Sequence, residues 1–81
     1  MGPIMAIKIN DRPDHATNVQ EILTKYGCNI KTRVGFHDVS EDQCSMDGLI
    51  MLQLFGKEKD IQALFDELDT VEGVKVKFID F

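Results

Sequence analysis

The sequence predicts an α+β domain in which strands and helices follow the order β-α-β-β-α-β. Residues 49–55 are apolar except for Gln53 and have the length of a strand buried on both faces. Two longer segments repeat apolar residues at helical spacing, and three other segments have the composition of strands. Right-handed crossovers then place both helices on one face of a four-stranded antiparallel sheet, which is the ferredoxin-like sandwich.

The N-terminal third is predicted to hold the first strand and the first helix. Residues 4–9 form a short apolar run, and the Asn, Asp and Pro residues of positions 10–14 mark a turn. Pro13 suits the first turn of a helix, because an N–H group has no partner there. The helix is expected to reach Tyr26, and Gly27 stands where a left-handed cap is common. The apolar stripe of this helix consists of Ala16, Val19, Ile22, Leu23 and Tyr26.

The second strand is predicted at residues 29–37. Apolar or β-branched residues alternate there with charged residues and glycine, which is typical of a half-buried edge strand. The apolar or β-branched set is Ile30, Thr32, Val34 and Phe36. Gly35 inside this strand indicates a bulge or a close backbone approach. Residues 38–46 are predicted to be a polar connection to the third strand.

The C-terminal half is predicted to hold the central strand, a second helix and a last strand. The second helical stripe is formed by Ile61, Leu64, Phe65, Leu68 and Val71. Residues 74–81 alternate apolar residues with lysines. In this topology strands one and three are central, and lysines on the two edge strands discourage unwanted pairing.

The composition describes one small domain, which we expect to span residues 4–81. The chain has 81 residues, and its 43% hydrophobic content is typical of a globular protein. Its formal net charge of −5 is the wrong sign for direct binding to a nucleic-acid backbone. Cys28 and Cys44 are too few for a disulfide scaffold, and neither a secretory leader nor a membrane span is recognisable. We therefore expect a cytoplasmic protein.

The apolar third strand also predicts self-association. Both helices lie on one face of the sheet, so they can bury only one of the two sets of side chains on this strand. The two sets are Ile50, Leu52 and Leu54, or Leu49, Met51 and Phe55. The uncovered set would form an exposed apolar patch, which usually marks an interface. We expect a homodimer or homotetramer that covers the helix-free face, an edge strand or both; the alternative is that the connection at residues 38–46 folds over the patch.

Motifs for catalysis are missing from the sequence. It contains no serine–histidine constellation, glycine-rich phosphate loop or nucleophile motif. Arg12 follows the first strand, as the phosphate-binding arginine of ferredoxin-like acylphosphatases does, but Asp11 and Asp14 flank it and would repel an anion. We therefore expect neither enzyme activity nor a cofactor.

Metal binding is an alternative with weaker support. The acidic residues 38–42 lack the glycine and glutamate that an EF-hand loop needs at its sixth and twelfth positions. Histidines and cysteines are scattered along the chain rather than closely paired. If the protein is a metal-responsive regulator, His37 and Cys44 are the candidate ligands, and assembly would have to bring copies of them together.

The turn after the first strand carries the resemblance to a known family. Asp11-Arg12-Pro13 within a β-α-β-β-α-β chain resembles the ACT family of regulatory domains. Those domains pair their sheets side by side and bind small effectors, often amino acids, at the interface near this junction. The resemblance implies a ligand site formed by Asn10, Asp11, Arg12, Pro13, Arg33 and Gly35. Arg12 or Arg33 would meet an anionic effector at the subunit seam.

Nearly the whole chain from Ile4 also resembles a stand-alone ACT-like family, the iron-only hydrogenase system regulators. The motifs are Asp-Arg at positions 11–12, Ile-Lys-Thr-Arg-Val-Gly at 30–35, Gly-Leu-Ile at 48–50 and Gly-Val-Lys-Val-Lys at 73–77. This resemblance implies a non-catalytic, small-ligand-sensing regulator. Two alternatives stay open: a metal-responsive regulator similar to the sensing domain of nickel-responsive repressors, or a structural interaction module for hydrogenase maturation.

Overall fold

The computed structural model describes residues 2–9, 13–39 and 44–80, with side chains described for residues 2–9, 17–36 and 48–80. The elements, in chain order, are β1 (Ile4–Ile9), α1 (Pro13–Lys25), a 3₁₀ turn (Gly27–Asn29), β2 (Ile30–Val39), β3 (Cys44–Leu54), α2 (Glu58–Asp69) and β4 (Val74–Ile79). The strands form one antiparallel sheet in the order β2-β3-β1-β4, so β1 and β3 are central, as predicted. This is the ferredoxin-like fold expected from the sequence.

The core lies between the two helices and one face of the sheet. Along β3, Ile50, Leu52 and Leu54 are buried, whereas Leu49 and Phe55 are exposed. Of the two alternative sets of β3 side chains identified in the sequence, the helices therefore cover the even-numbered one. The buried core consists of Met5, Ile7, Ile9, Val19, Leu23, Ile50, Leu52, Leu54, Ile61, Leu64, Leu68 and Val74. The sheet is left with one covered face and one open face.

Both helices are amphipathic, and each buries a narrow stripe. Val19 and Leu23 on α1, and Leu64 and Leu68 on α2, are buried because residues four apart lie on the same side of a helix. The first turn of α2 is acidic, which suits the positive end of the helix dipole. Within the described part of the chain, neither helix is long and apolar enough to cross a lipid bilayer.

A glycine is required at the corner between β3 and α2. Gly56 has a φ of +112°, which side chains rarely tolerate, and a Cβ there would lie 2.7 Å from Asn29 Nδ2. The Phe55 N–H donates to the Asn29 carbonyl oxygen at 2.8 Å, and Asn29 Nδ2 donates to the Phe55 carbonyl oxygen at 3.1 Å. These two hydrogen bonds tie the corner to the 3₁₀ turn.

α1 ends at Lys25, within one residue of the predicted end, but the local prediction at Gly27 and the bounds of two strands are wrong. Gly27 lies in a 3₁₀ turn rather than in a left-handed cap, and among the described residues positive φ is confined to two other glycines. β2 continues to Val39 and β3 begins at Cys44, where a polar connection was predicted. Polar residues extend a strand when their backbone groups pair across a hairpin, and residue composition does not reveal that pairing.

The irregularity expected in β2 is present, but Gly35 is not its position. Gly35 pairs with Ile50 in regular register, and a Cβ at Gly35 would meet nothing within 4 Å. The register shifts between Ile30 and Thr32, which leaves Lys31 as an extra residue, and it shifts again near the end of the strand. One extra residue reverses the face on which the following side chains lie. Ile30 therefore packs against the core, while Thr32 lies on the open face.

Candidate functional site

The face of the sheet that the helices leave uncovered, here called the open face, is the first candidate site. The pairing register assigns to it the side chains that alternate with the buried ones. Those described are Ile4, Ala6 and Lys8 on β1, Thr32, Val34 and Phe36 on β2, Leu49, Met51 and Gln53 on β3, and Lys75, Lys77 and Ile79 on β4. None of these residues is acidic.

The β2–β3 side of the open face is apolar. Val34 lies opposite Met51, and Phe36 lies opposite Leu49. The exposed fraction is 44% for Val34, 55% for Phe36 and 39% for Leu49. These four residues are called the apolar patch below. The sequence predicted that β3 would place apolar side chains on an uncovered face, but not that β2 would do so. The bulge that decides which side chains of β2 lie on the open face is not visible in the residue pattern.

The β1–β4 side of the open face carries lysines instead. Lys8 lies directly opposite Lys75, Lys77 follows on the same face of β4, and all three are exposed. Like charges directly opposite each other on a sheet repel. Protection of the sheet edge accounts for the two lysines of β4 but not for Lys8, which is on a central strand. The open face is thus divided into an apolar half and a basic half.

The predicted ligand residues are only partly described. Asn10, Asp11 and Arg12 lie outside the described residues, and Pro13 is the first residue of α1, as expected for its position. Arg33 is exposed on the edge strand β2 and pairs with Leu52.

Ideal sheet spacing locates Arg33 relative to the junction between β1 and α1. His37 pairs with Gly48, which pairs with Ile9, so Arg33 is four residues and two strands away from the end of β1. Ideal spacings between residues and strands make that separation about 16 Å. Gly35 lies two residues closer to the junction along the same strand. A single protomer therefore does not bring Arg33 to the junction.

The candidate metal ligands lie near the β2–β3 hairpin. The backbone of Cys44 pairs with that of Val39, and His37 pairs with Gly48. The side chains of His37 and Cys44 lie outside the described ones. Among the residues that the structure describes, no three His, Cys, Asp or Glu side chains are grouped closely enough to hold a metal ion.

A polar cluster links the two helices. Lys25 Nζ lies 3.0 Å from each carboxylate oxygen of Glu67, and the Tyr26 hydroxyl donates a hydrogen bond to Glu67 Oε2. The hydrogen bonds from Tyr26 and then Lys25 lower the pKa of Glu67. The hydrogen bond with Glu67 is also the main cause that raises the pKa of Lys25 and that of Tyr26. Because these charges satisfy one another, the cluster is a structural link between the helices.

Two of the cavities in the described part of the chain lie where β1 begins and β3 ends, at the opposite end of the sheet from the β1–α1 junction. One has a volume of about 280 Å³ and is lined by Cys28, Ile30, Lys31 and Phe55. The other has a volume of about 360 Å³ and is lined by Pro3, Gly56, Glu58, Ile61, Gln62 and Phe78. The sequence predicted neither cavity. A sequence feature that could have indicated these cavities is the aromatic residue Phe55, which stands directly before a glycine that ends a strand.

Several solved structures share this fold. No protein-family model and no curated protein matches the chain. The ACT domain from GTP pyrophosphokinase of Chlorobium tepidum is 19% identical, with a TM-score of 0.68 over 95% of each chain. A formyltetrahydrofolate deformylase from Pseudomonas putida is 11% identical, with a TM-score of 0.59 over 98% of this chain and 28% of its own. At these identities the likeness shows the fold, which is ACT-like.

A further solved structure is similar in sequence as well as in fold. The uncharacterized protein TM1266 from Thermotoga maritima is 31% identical over 95% of this chain and 91% of its own, with a TM-score of 0.82. The match includes nearly every described strand and helix. This chain therefore belongs to the same family as TM1266, and its fold is the ACT-like form of the ferredoxin-like sandwich.

Proposed function

We propose that this protein is a non-catalytic regulatory domain that senses a small ligand and acts as a homo-oligomer. The observation that carries the proposal is the apolar patch, since Val34, Phe36 and Leu49 are exposed on the sheet face that α1 and α2 leave uncovered. A contiguous apolar surface of this kind usually marks an interaction site. The ACT-like fold supports the sensing role, because the family resemblance implies effector binding at a seam between subunits.

A second copy of the chain is the occupant that suits the apolar patch. The patch carries no charge, so two copies can meet through it without burying an unpaired charge. Among the side chains described on the basic half of the open face none is acidic, so stacking β4 over β4 would bring lysines together. A two-fold axis parallel to the strands and close to β2 and β3 avoids that repulsion. Such an interface is self-complementary and leaves Lys75 and Lys77 outside it.

The predicted ligand residues fit a seam between subunits better than a site within one protomer. Arg33 is exposed on an edge strand and lies about 16 Å from the end of β1 in its own chain by ideal sheet spacing. An edge strand is the part of a sheet that a neighbouring subunit reaches first. Because Arg33 pairs with the buried Leu52, its side chain lies on the opposite side of β2 from the apolar patch. Arg12 of one subunit and Arg33 of another can therefore meet a single anionic effector only where a further copy packs along the β2 edge, a contact that the effector itself would bridge.

We further propose that this regulatory role belongs to the iron-only hydrogenase system. The support is the resemblance of the motifs at residues 11–12, 30–35, 48–50 and 73–77, which are spread along the chain. A tagged chain expressed in a hydrogen-metabolising host is expected to co-purify with hydrogenase maturation proteins or with their regulators. Recovery of the tagged chain alone, with its oligomer intact, would argue against this assignment while leaving the sensing role to be judged separately.

Ligand sensing is tested by a thermal-shift screen of amino acids, nucleotides and metal ions. A ligand at 100 times its dissociation constant adds about 2.7 kcal/mol of stability, which is more than about 10 °C in the melting temperature of a domain this small. We expect an anionic effector to produce such a shift and Arg12→Gln or Arg33→Gln to reduce it. Lys59→Gln, a charge removal on the exposed surface of α2, is the matched control and should leave the shift unchanged. If no compound moves the melting temperature, the sensing role is wrong.

A further inference from the structure

The cavity beside the start of β2 has a chemistry of its own. It is lined by Cys28, Ile30, Lys31 and Phe55, so its lining includes one basic residue and one aromatic ring. No carboxylate is among the lining residues. The volume of about 280 Å³ is close to the lower limit of small-molecule sites in proteins. The cavity therefore combines an apolar surface with one positive charge.

Two backbone features build this cavity. Ile30 pairs with Leu54 and Thr32 with Gln53, so Lys31 is the extra residue of a bulge and lies out of the regular alternation. Bulges re-aim a side chain, and they are common beside binding sites. Lys31 is consequently placed at the cavity rather than in line with its neighbours on β2.

The second feature is the corner between β3 and α2, where two hydrogen bonds fix the Phe55 backbone. Asn29 accepts the Phe55 N–H and donates to the Phe55 carbonyl oxygen, so the Phe55 backbone is fixed on both sides. The Phe55 side chain nevertheless stays outside the core, with an exposed fraction of 66%. An exposed ring on a fixed backbone position is suited to ligand contact, because the backbone need not be ordered when a ligand covers the ring.

We propose that this cavity binds a small aromatic or branched aliphatic carboxylate. The apolar body of the ligand covers Phe55 and Ile30, and its carboxylate pairs with the Lys31 ammonium. A free amino acid fits less well, since its ammonium group next to the carboxylate would face Lys31 without an acidic partner in the lining. The site is independent of the proposed function, because it lies at the opposite end of the sheet from the β1–α1 junction.

The test uses 3-phenylpropionate as the probe, with 3-phenylpropanamide and phenylalanine as neutral and zwitterionic analogues that have the same ring. Backbone amide signals of the full chain are followed by NMR during titration with each compound. We expect saturable shifts confined to residues 28–31 and 54–56 for 3-phenylpropionate. The amide and the amino acid should bind about fivefold more weakly, the size of an exposed charge pair. Shifts from phenylalanine near residue 13 would instead report the junction site.

Two substitutions separate this site from general charge attraction. Lys31→Gln should make the acid and the amide bind equally, whereas Lys75→Gln, which removes a lysine of the open face, should leave the fivefold preference intact.

A third substitution tests the location of the site. Cys28→Phe places a side chain in the cavity from an exposed position and should abolish binding of the probe, while the NMR spectrum remains that of a folded protein. The proposal is overturned by probe shifts elsewhere, by equal binding of acid and amide to the unsubstituted chain, or by loss of preference in Lys75→Gln. Broadening of the residue 28–31 signals with protein concentration alone would assign the cavity to contact between copies, and would also overturn it.

Discussion

Replacing Phe36 with alanine should separate the subunits while leaving each protomer folded. A phenylalanine buries about 200 Å² when fully covered. With 55% of Phe36 exposed in the protomer, a partner can cover about 110 Å² more, worth about 2.7 kcal/mol at about 25 cal/mol per Å². A two-fold interface contains two such rings, so the upper value is about 5 kcal/mol, or roughly four orders of magnitude in the dissociation constant. Because interface area converts to affinity only in part, we expect a weakening of at least about 100-fold.

Analytical ultracentrifugation over a range of protein concentrations measures this change directly. The unsubstituted chain should sediment as an oligomer at micromolar concentration, and Phe36→Ala should sediment as a monomer with an unchanged circular dichroism spectrum. Gln20→Ala, at an exposed position on α1, is the matched control and should leave the oligomer intact. A monomeric unsubstituted chain would refute the reasoning. So would a Phe36→Ala oligomer of undiminished affinity, because the apolar patch would then not be the interface.

Two further predictions concern the stability of the protomer. Gly56→Ala should lower the free energy of unfolding by more than about 1 kcal/mol, because φ is +112° and the new Cβ would meet Asn29 at 2.7 Å. Gly27→Ala should be neutral or stabilising, because a Cβ at that position would meet nothing within 4 Å. Urea denaturation of both variants measures the difference between their free energies of unfolding. The Glu67 pKa is lowered in the fold by hydrogen bonds from Tyr26 and Lys25, so Glu67 stabilises the fold above its ordinary pKa of 4.5 and this stabilisation is lost as the pH falls through the lowered value. The stability difference between the unsubstituted chain and Glu67→Gln should therefore be constant near neutral pH and shrink below about pH 4.5; a difference that persists unchanged in acid would contradict the assignment.

Hydrophobic periodicity was sufficient to predict the buried side chains where an element packs on one side only. The stripe of α2 was correctly predicted because Ile61, Leu64 and Leu68 share one side of a helix, and all three are buried. On β3, strict alternation correctly reduced the choice of buried residues to two sets. Selecting between the sets required knowledge of which face the crossovers cover, and both faces of this strand are similarly apolar in sequence.

Hydrophobic periodicity did not predict the face on which a side chain lies where pairing between distant residues decides it. The bulge at Lys31 is defined by the partners of Ile30 and Thr32 on β3, so a local pattern cannot locate it. The apolar patch of the open face depends on that bulge, because the bulge turns Val34 and Phe36 away from the helices. The link between Lys25, Tyr26 and Glu67 was missed for the same reason, since more than 40 residues separate its partners.

The residue pattern by itself determined the order of elements, the central position of β1 and β3, and the excess of apolar side chains over what two helices can cover. These properties depend on local composition and on steric rules that hold for every chain of this kind. Only the tertiary structure decided which side chains form the apolar patch and which form the cavity beside Lys31. Both depend on strand register, and register is set by the summed packing of the whole sheet rather than by any one segment.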